Sequence, residues 1–387
     1  MPRFNRNRFL LAKIQPTFGA DSVPSGAANA ILLAGDPSIT PYNSTNIDRD
    51  LVRGYFGASE QLVGTGYVGI DFKTEFQSSG AGGTAPAWGP LARACGYAEV
   101  LLASPLTGTC QAGSTSSTLN LAAGASAVDD FYNGAYVTLT GGTGSGQAAL
   151  ILDYVGATKI ATIAPAWTVT PDGTTAYSIA ANAAYNPIST AFEMVSMYYW
   201  RDGLQRKAIN CRGNIDSIEM GIGARPVINW KFMGIDAGVA AVANPSQTLT
   251  GWKVPTMITD VNTGDVMLGG TVYPSRGLTI AGGNKVDFIQ LLGGESVDIT
   301  DRDMTGKIEL DLTAAQAATF HSAVRANTLY SFGFVHGTAA GSRVAVQAPQ
   351  VQLLDQSETD ANGRALDGYG LRLLPFLGND EVRIVAQ

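Results

Sequence analysis

Most of this chain is written in short apolar runs with two-residue alternation, interrupted at close intervals by Gly, Pro, Asn and Asp. Alternation puts every second side chain on one face of an extended strand, and the interruptions supply the residues that hairpin turns require. A sequence punctuated in this way predicts an all-β sandwich or barrel. Two stretches depart from it. At Gly89–Cys95, Pro90 suits the first turn of a helix and Gly96 a C-terminal stop. At Thr313–Arg325, Thr313 and Gln316 have capping-box spacing, and Ala317, Phe320 and Val324 fall on one face.

The 387 residues suffice for two or three domains. Only 15% of them are Asp, Glu, Lys or Arg, while 46 are Gly. So few charges suit a chain whose exterior is largely covered by neighbours. The formal net charge of −7 argues against sequence-independent DNA binding, which depends on Lys and Arg neutralising phosphates. Cys95, Cys110 and Cys211 are odd in number and lack metal-ligand or redox spacing, so they read as small apolar residues in a reducing compartment. The N-terminal apolar run, Phe9 to Ala12, is too short for a signal peptide, and no run is long enough to span a bilayer.

Residues 105–182 read as a separate β-module. Its candidate strands are Ser117–Leu121, Tyr136–Thr140, Ala148–Tyr154, Lys159–Ile163 and Thr175–Ile179, with GGTGSGQ at 141–147 as a hairpin turn. Phe131, Tyr136, Ile151, Ile163 and Trp167 are its candidate core. With the module set aside, the remainder repeats. GIDFKTEF (69–76), the helix near Leu91, MYYW (197–200), LQRKAINCRG (204–213) and INWKFMG (228–234) are matched in order by GKIELDLT (306–313), the helix at 313–325, YSFGF (330–334), SRVAVQAP (342–349) and RLLPFLG (372–378). The expected organisation is a discontinuous first unit, 1–104 plus 183–238, an insert at 105–182 projecting outward, a linker at 239–251, and a second unit at 252–387.

The stretch DFKTEFQSSGAGGTAPAWGPLARACGY (71–97) resembles a pattern of siphophage major tail tube proteins: a strand, a Gly-rich Ser-Gly loop, a Pro, and a helix ending in Ala-Cys-Gly. YYWRDGLQRKAINCRGNIDSIEMGIGARPVINWKFMG (198–234) is similar to the same family's hairpin, Arg-Gly-Asn corner and closing aromatic strand. DDFYNGAYVTLTGGTGSGQ (129–147) and DYVGATKIATIAPAW (153–167) resemble a small β-domain inserted in phage virion proteins. The resemblance implies a sandwich with a flanking helix, six such folds to a ring, and rings stacked into a tube whose inner strands form one barrel around passing duplex DNA. It implies a virion protein assembled in the host cytoplasm, with no cofactor and no membrane. Its partners would be further copies of itself, the tape measure protein, and the tail terminator and tail tip proteins. Two folds per chain would make each ring a trimer with pseudo-sixfold symmetry, a hexamer being the alternative.

Motifs that could carry catalysis lack their context. GTGYVG (64–69) matches a dinucleotide fingerprint, but a strand follows it where a helix N-terminus is required. DRDMTGKIE (301–309) opens like a calcium loop, yet Leu312 stands where a bidentate Glu belongs. His321 and His336 are the only histidines, which leaves few ways to build a metal site or a triad, and both read as structural. Asp129 with Asp130, and Asp380 with Glu381, sit beside turns as solvated charges. The reading is therefore non-enzymatic.

Tyr198, Tyr199 and Trp200, with Trp230 and Phe232, are expected to divide between the sandwich core and a face that a ring neighbour covers. In the N-terminal arm, Arg3, Arg6 and Arg8 stand among Phe4 and Phe9, a mixture that suits anchoring in a ring-to-ring protein interface better than tracking phosphates. Two other readings compete. One is a receptor- or carbohydrate-binding virion protein with 105–182 as its recognition module. The other is an enzyme degrading cell-surface polymers, for which no paired acidic constellation is evident.

Overall fold

The computed structural model describes residues 3–264 and 266–387. Its first half runs β1 (Arg8–Gln15), β2 (Ala30–Ile31), β3 (Ser38–Asp48), β4 (Gln61–Glu75), α1 (Gly89–Ala94) and β5 (Tyr97–Leu102). The insert follows: β6 (Leu106–Thr109), β7 (Thr118–Asn120), β8 (Tyr136–Gly141), β9 (Ala148–Val155), β10 (Ile160–Ala164) and β11 (Ala176–Ile179). The half then completes itself with β12 (Asn182–Pro187), β13 (Met194–Arg201), β14 (Leu204–Gly221) and β15 (Val227–Ala241). The second half opens with β16 (Val266–Leu268), β17 (Thr271–Tyr273), β18 (Ser275–Ala281), β19 (Asn284–Leu291), β20 (Gly294–Arg302) and β21 (Thr305–Leu310). It ends with α2 (Ala314–Arg325), β22 (Leu329–His336), β23 (Val344–Ala361), β24 (Arg364–Leu374) and β25 (Arg383–Ala386). The fold is all-β with a short helix in each half.

Local chemistry sets both helices. Thr313 caps α2, its side chain accepting from the Gln316 amide while Gln316 reaches back to the Thr313 amide. That fixes the start of a helix whose Phe320 enters a cluster of rings, 5.1 Å from Tyr273 and 5.8 Å from Tyr369. In α1, Pro90 occupies the first turn, and Leu91, Ala92 and Ala94 are buried. Trp88 precedes it, fully buried, its indole N–H donating to the Gln77 carbonyl at 2.7 Å.

Pairing in the first half runs β2–β1–β13–β14–β15–β4–β3, all antiparallel. The second half runs β17–β16–β22–β23–β24–β21–β18, again antiparallel. A bulge between Val195 and Met197 recurs between Tyr330 and Phe332. Following the ladders outward from it pairs Ser217 with Ser357, Trp230 with Tyr369 and Phe72 with Ile308 as equivalent positions. Two segment matches made from sequence are thereby corrected. GIDFKTEF and GKIELDLT are one residue out of step, since Thr305, not Gly306, corresponds to Gly69. The counterpart of INWKFMG is Asp367–Leu373, and RLLPFLG runs off the end of β24 into a turn. A one-residue slip exchanges the faces of a strand, so the buried set decides: Val68 and Phe72 correspond to the buried Met304 and Ile308. The linker also begins later than expected, because Val239–Ala241 still pairs with Leu204–Arg206 in β15.

The halves are one sheet and one core. β18 pairs with the far end of β14, Ile218 opposite Ile280 and Met220 opposite Leu278, and one apolar cluster runs through both halves. The insert leaves and re-enters on paired strands, β5 and β12, with Leu102 opposite Asn182. Its strands pair in the order β6–β11–β8–β9–β10–β7, and the amide of Gln111 bonds Asn120 O at 3.0 Å to join the two ends. All five expected strands are there, with β6 in addition. Ile151, Ile163 and Trp167 fill the core, Phe131 borders it, and Tyr136 stands outside beneath the Arg343 guanidinium.

Tyr136 lies outside because the insert is docked. Leu150, Leu152 and Ala164 pack against Met267, Val335, Ala345 and Val385 of the second half. The fit is close: a Cβ on Gly333 would lie 2.7 Å from Leu150 Cδ2. Arg383, 8% exposed, donates to Asp130 O at 2.6 Å and Phe131 O at 2.7 Å, and burial pushes its pKa down to about 10. The insert is thus joined covalently to the first half and packed against the second. Excising it would uncover the apolar face formed by Met267, Val335, Ala345 and Val385. Replacing Arg383 by Met, which keeps the bulk and orphans both carbonyls, is expected to lower stability by about 2–4 kcal/mol. Equilibrium urea unfolding measures it; an unchanged midpoint would mean the clamp carries nothing.

The connector before β16 is held through His336, 2% exposed, whose Nε2–H donates to Thr256 O at 3.1 Å while Nδ1 accepts from Thr263 Oγ1 at 2.8 Å. Burial lowers its pKa below the ordinary 6.5, against the opposing effect of the hydrogen bond that it donates to the Thr256 carbonyl. The folded state therefore holds the neutral imidazole. Its stabilisation is full above about pH 6.5 and is lost as pH falls through the depressed folded value. His336→Gln should flatten the decline in unfolding midpoint between pH 7.5 and 5, and parallel curves for the two proteins would contradict the assignment.

Candidate assembly surfaces

Long strands with one face in the core must present the other outward. One row crosses seven strands and both halves: Glu75, Val227, Glu219, Thr279, Lys307, Gly370 and Leu354 are successive cross-strand neighbours. The next row inward, Thr74, Ile228, Ile218, Ile280, Gly306, Leu371 and Leu353, belongs to the core side. The outer face continues with Ser38, Asp71, Lys231 and Asn214 in one line, and Lys73, Asn229 and Ser217 in another. Carboxylates (Asp71, Glu75, Asp216, Glu219, Glu309) are interleaved on it with Lys73, Lys231 and Lys307, and Arg225 and Arg276 pair with Glu75 and Glu309.

Many of these groups are tied to one another. Asn229 donates to Ser217 Oγ and to Glu219 Oε1, both at 2.7 Å, and Arg225 Nη1 lies 3.1 Å from Glu75 Oε1. Partial desolvation raises the pKa of Asp71; Lys231 opposes the shift and neighbouring Asp216 adds to it. The face is polar and of mixed sign. Such a surface offers phosphate single cations rather than a basic stripe.

Among the described residues several strands have a partner on one side only, and two of these open edges are long. β3 pairs only with β4, and β23 beyond Leu354 pairs only with β24. The β3–β4 hairpin also runs out past the core. It exposes Tyr42, Ile47, Leu62 and Val63, and at its turn Leu51, Val52, Tyr55 and Phe56, with Val52 and Phe56 as exposed as in an extended chain. An apolar group of that size on a free surface marks an interface. It was missed in the sequence because DLVRGYF does not alternate and matches no motif, although an aromatic turn between strands was itself a signal.

The N-terminal arm divides. Arg3, Phe4 and Arg6 are exposed, Phe4 at 71%. The Phe4 amide and Asn7 Nδ2 donate to Asp202, at 2.6 and 2.8 Å, which lowers the pKa of that carboxyl. Arg8 is tied to Asp36 at 3.1 Å and, through Nε–H, to Asn5 O at 2.6 Å. Phe9 is 4% exposed and stacks on Trp200 at 4.8 Å within β1, so its ring is spent inside the chain. The strand aromatics behave likewise: Tyr199, Trp230 and Phe232 lie in the main core, and Tyr198 and Trp200 in a smaller cluster with Phe9 and Leu11 on the opposite face. None is left for a neighbour.

GTGYVG lies within β4, and Asp303 of DRDMTGKIE pairs with Arg372 at 3.2 Å. The three cysteines are free and buried. Among the described residues, no helix is long and apolar enough to cross a membrane. No curated protein sequence matches the chain. A family model described as phage tail tube protein matches residues 5–365, which takes in the arm from Asn5, the first half, the whole insert and the second half as far as the start of β24. The chain belongs to the phage tail tube protein family.

Proposed function

We propose that this protein is the ring-forming subunit of the tail tube, three copies closing one ring with pseudo-sixfold symmetry and rings stacking around a lumen through which DNA passes. The observation that carries the reading is the row from Glu75 to Leu354, which crosses from one half to the other without a break. Each chain brings two sandwich units in one sheet, so three chains supply six units, and closing the sheet disposes of its edges. The polar face turns inward as the channel wall. The insert sits at the periphery, and Arg3, Phe4 and Arg6, with the apolar hairpin turn, contact further copies.

Electron microscopy of the purified protein tests this. Long hollow tubes are expected, and threefold averaging should sharpen the density of the insert while sixfold averaging blurs it. Six inserts per ring would show that each chain supplies a single unit. Discrete particles that bind cells or sugars would favour a recognition role for 105–182.

A wall of this composition should let DNA slide. Assembled tubes are expected to retain duplex DNA negligibly on filters at low salt. Asp71→Lys, Asp216→Lys and Glu219→Lys together should create retention that falls steeply with salt, the logarithmic slope steepening by about 0.9 per phosphate neutralised. Tight, salt-sensitive binding by the unaltered tube would overturn the assignment of this face as a conduit.

A further inference from the structure

We propose that the seam between the insert and the second half carries a divalent-cation site of calcium type, built by Asp130, Asn133 and Asp153 of the insert and facing Asp380 across the seam. The site belongs to the single chain and does not depend on the tube reading.

Residues 129–133 make a tight turn beside β9. Asp130 takes a positive φ of 61°, and its amide donates to Tyr154 O at 2.8 Å, which sets its half-buried carboxylate within hydrogen-bond reach of that of Asp153. Asp129 holds the turn, its Oδ1 accepting from the Gly156 amide at 2.7 Å. Asp130 and Asn133 line a cavity of about 420 Å³ together with Asp380 and Arg383 of the second half. Arg383 is the one cation among the described residues of that lining, and it directs both Nη groups to the carbonyls of Asp130 and Phe131 rather than to a carboxylate. Asp380 is held by the amides of Phe376, Leu377 and Gly378, at 3.0, 2.8 and 3.1 Å. Asp130 and Asp153 have no such set of donors.

Asn133 points to a ligand independently of charge. It is 4% exposed, and while its Nδ2 donates to Asp130 Oδ1 at 2.8 Å, its Oδ1 has no partner among the described residues. A buried amide oxygen without a donor is destabilising, and a cation bound beside Asp130 answers it. The charges agree. Desolvation raises the pKa of Asp130, the Asn133 hydrogen bond opposes the rise, and the neighbouring carboxylates of Asp153 and Asp380 add to it. Carboxylates crowded in this way are relieved by a cation between them. The donors are all hard oxygens on a turn, and the cavity leaves room for water to complete the roughly six to eight ligands that calcium takes; zinc would call for His or Cys. A bound ion also cancels charge that the insert and the second half hold against each other, so it tightens the docking.

Hydrogen exchange on the full chain reads the site. The amides of Asn133 and Gly134 donate to Asp130 O at 3.1 Å and Ile151 O at 2.8 Å, so they report the opening of the turn. Saturating CaCl2 should slow them at least about tenfold relative to EDTA, and above the dissociation constant each tenfold of free calcium should slow them about tenfold further until global unfolding limits exchange. Asp153 is exposed, so Asp153→Asn keeps the fold and should weaken calcium binding by about tenfold or more. Asn133→Asp adds a third carboxylate and should act oppositely, with faster exchange in EDTA and a larger response to calcium. Circular dichroism checks the fold of both variants. NaCl at matched ionic strength should leave the two amides unchanged; a slowing as large as that from CaCl2 would show mere screening of clustered charge and overturn the site. An unaltered chain indifferent to calcium also overturns it, as does a calcium response that neither substitution changes, since the ion would then be bound elsewhere.

Discussion

A β-sheet ends only where something answers the hydrogen-bonding groups of its outermost strand, and the architecture of this chain follows from how that demand is met. At the far end of β14 the answer is internal, because β18 of the second half lies against Ile218–Gly221. That one joint makes two sandwich units into a single sheet and lets one apolar core run beneath both. At the far end of β23 the same four positions have no strand beside them, and β3 has an edge to spare. The chain thus answers one such edge within itself and leaves an equivalent one open.

The two faces of the sheet divide the work. Beneath it, alternate positions carry Ile218, Ile280, Leu371 and their neighbours into a closely packed interior, where a slip of one residue would turn the apolar set outward. Above it, the intervening positions carry short polar and charged side chains bonded mostly to each other. Burial on one side therefore dictates polarity on the other, and the strand register that stabilises the subunit also sets the chemistry of the outward face. The insert obeys a different logic. It has its own closed core, yet Leu150 and Leu152 lie over Gly333 and Arg383 reaches back to its carbonyls, so it is joined to the half it does not interrupt. β25 pairs with both β12 and β23 and so ties the root of the insert to the second half.

What was legible in the sequence is what local chemistry decides. The capping box at Thr313 and the proline at Pro90 place the helices to within a residue. The insert's strands were readable because Gly142, Gly144 and Gly146 mark a turn that needs positive φ. The segment match between halves was legible in order but not in register, since Gly69 and Gly306 look alike as letters while lying on opposite faces. Nothing local distinguishes them; only the burial of Val68 and Met304 on the same side does. Phe9 was misplaced for a related reason. Surrounded by arginines it reads as part of a free arm, whereas FLLA is the strand that completes β13, and its ring is consumed by Trp200.

The apolar turn of the β3–β4 hairpin shows why assembly surfaces are harder to read than cores. A core announces itself by periodicity, because many positions must face one way. An interface formed by a few residues at a turn has no period, and Leu51, Val52, Tyr55 and Phe56 differ from ordinary loop residues only in being bare once the fold is known. Solubility alone would favour polar residues there. An exposed apolar turn in a chain with so few charges has the character of an interaction surface, and β19–β20, packed onto the first half, shows how a hairpin in the equivalent connection is covered within the chain.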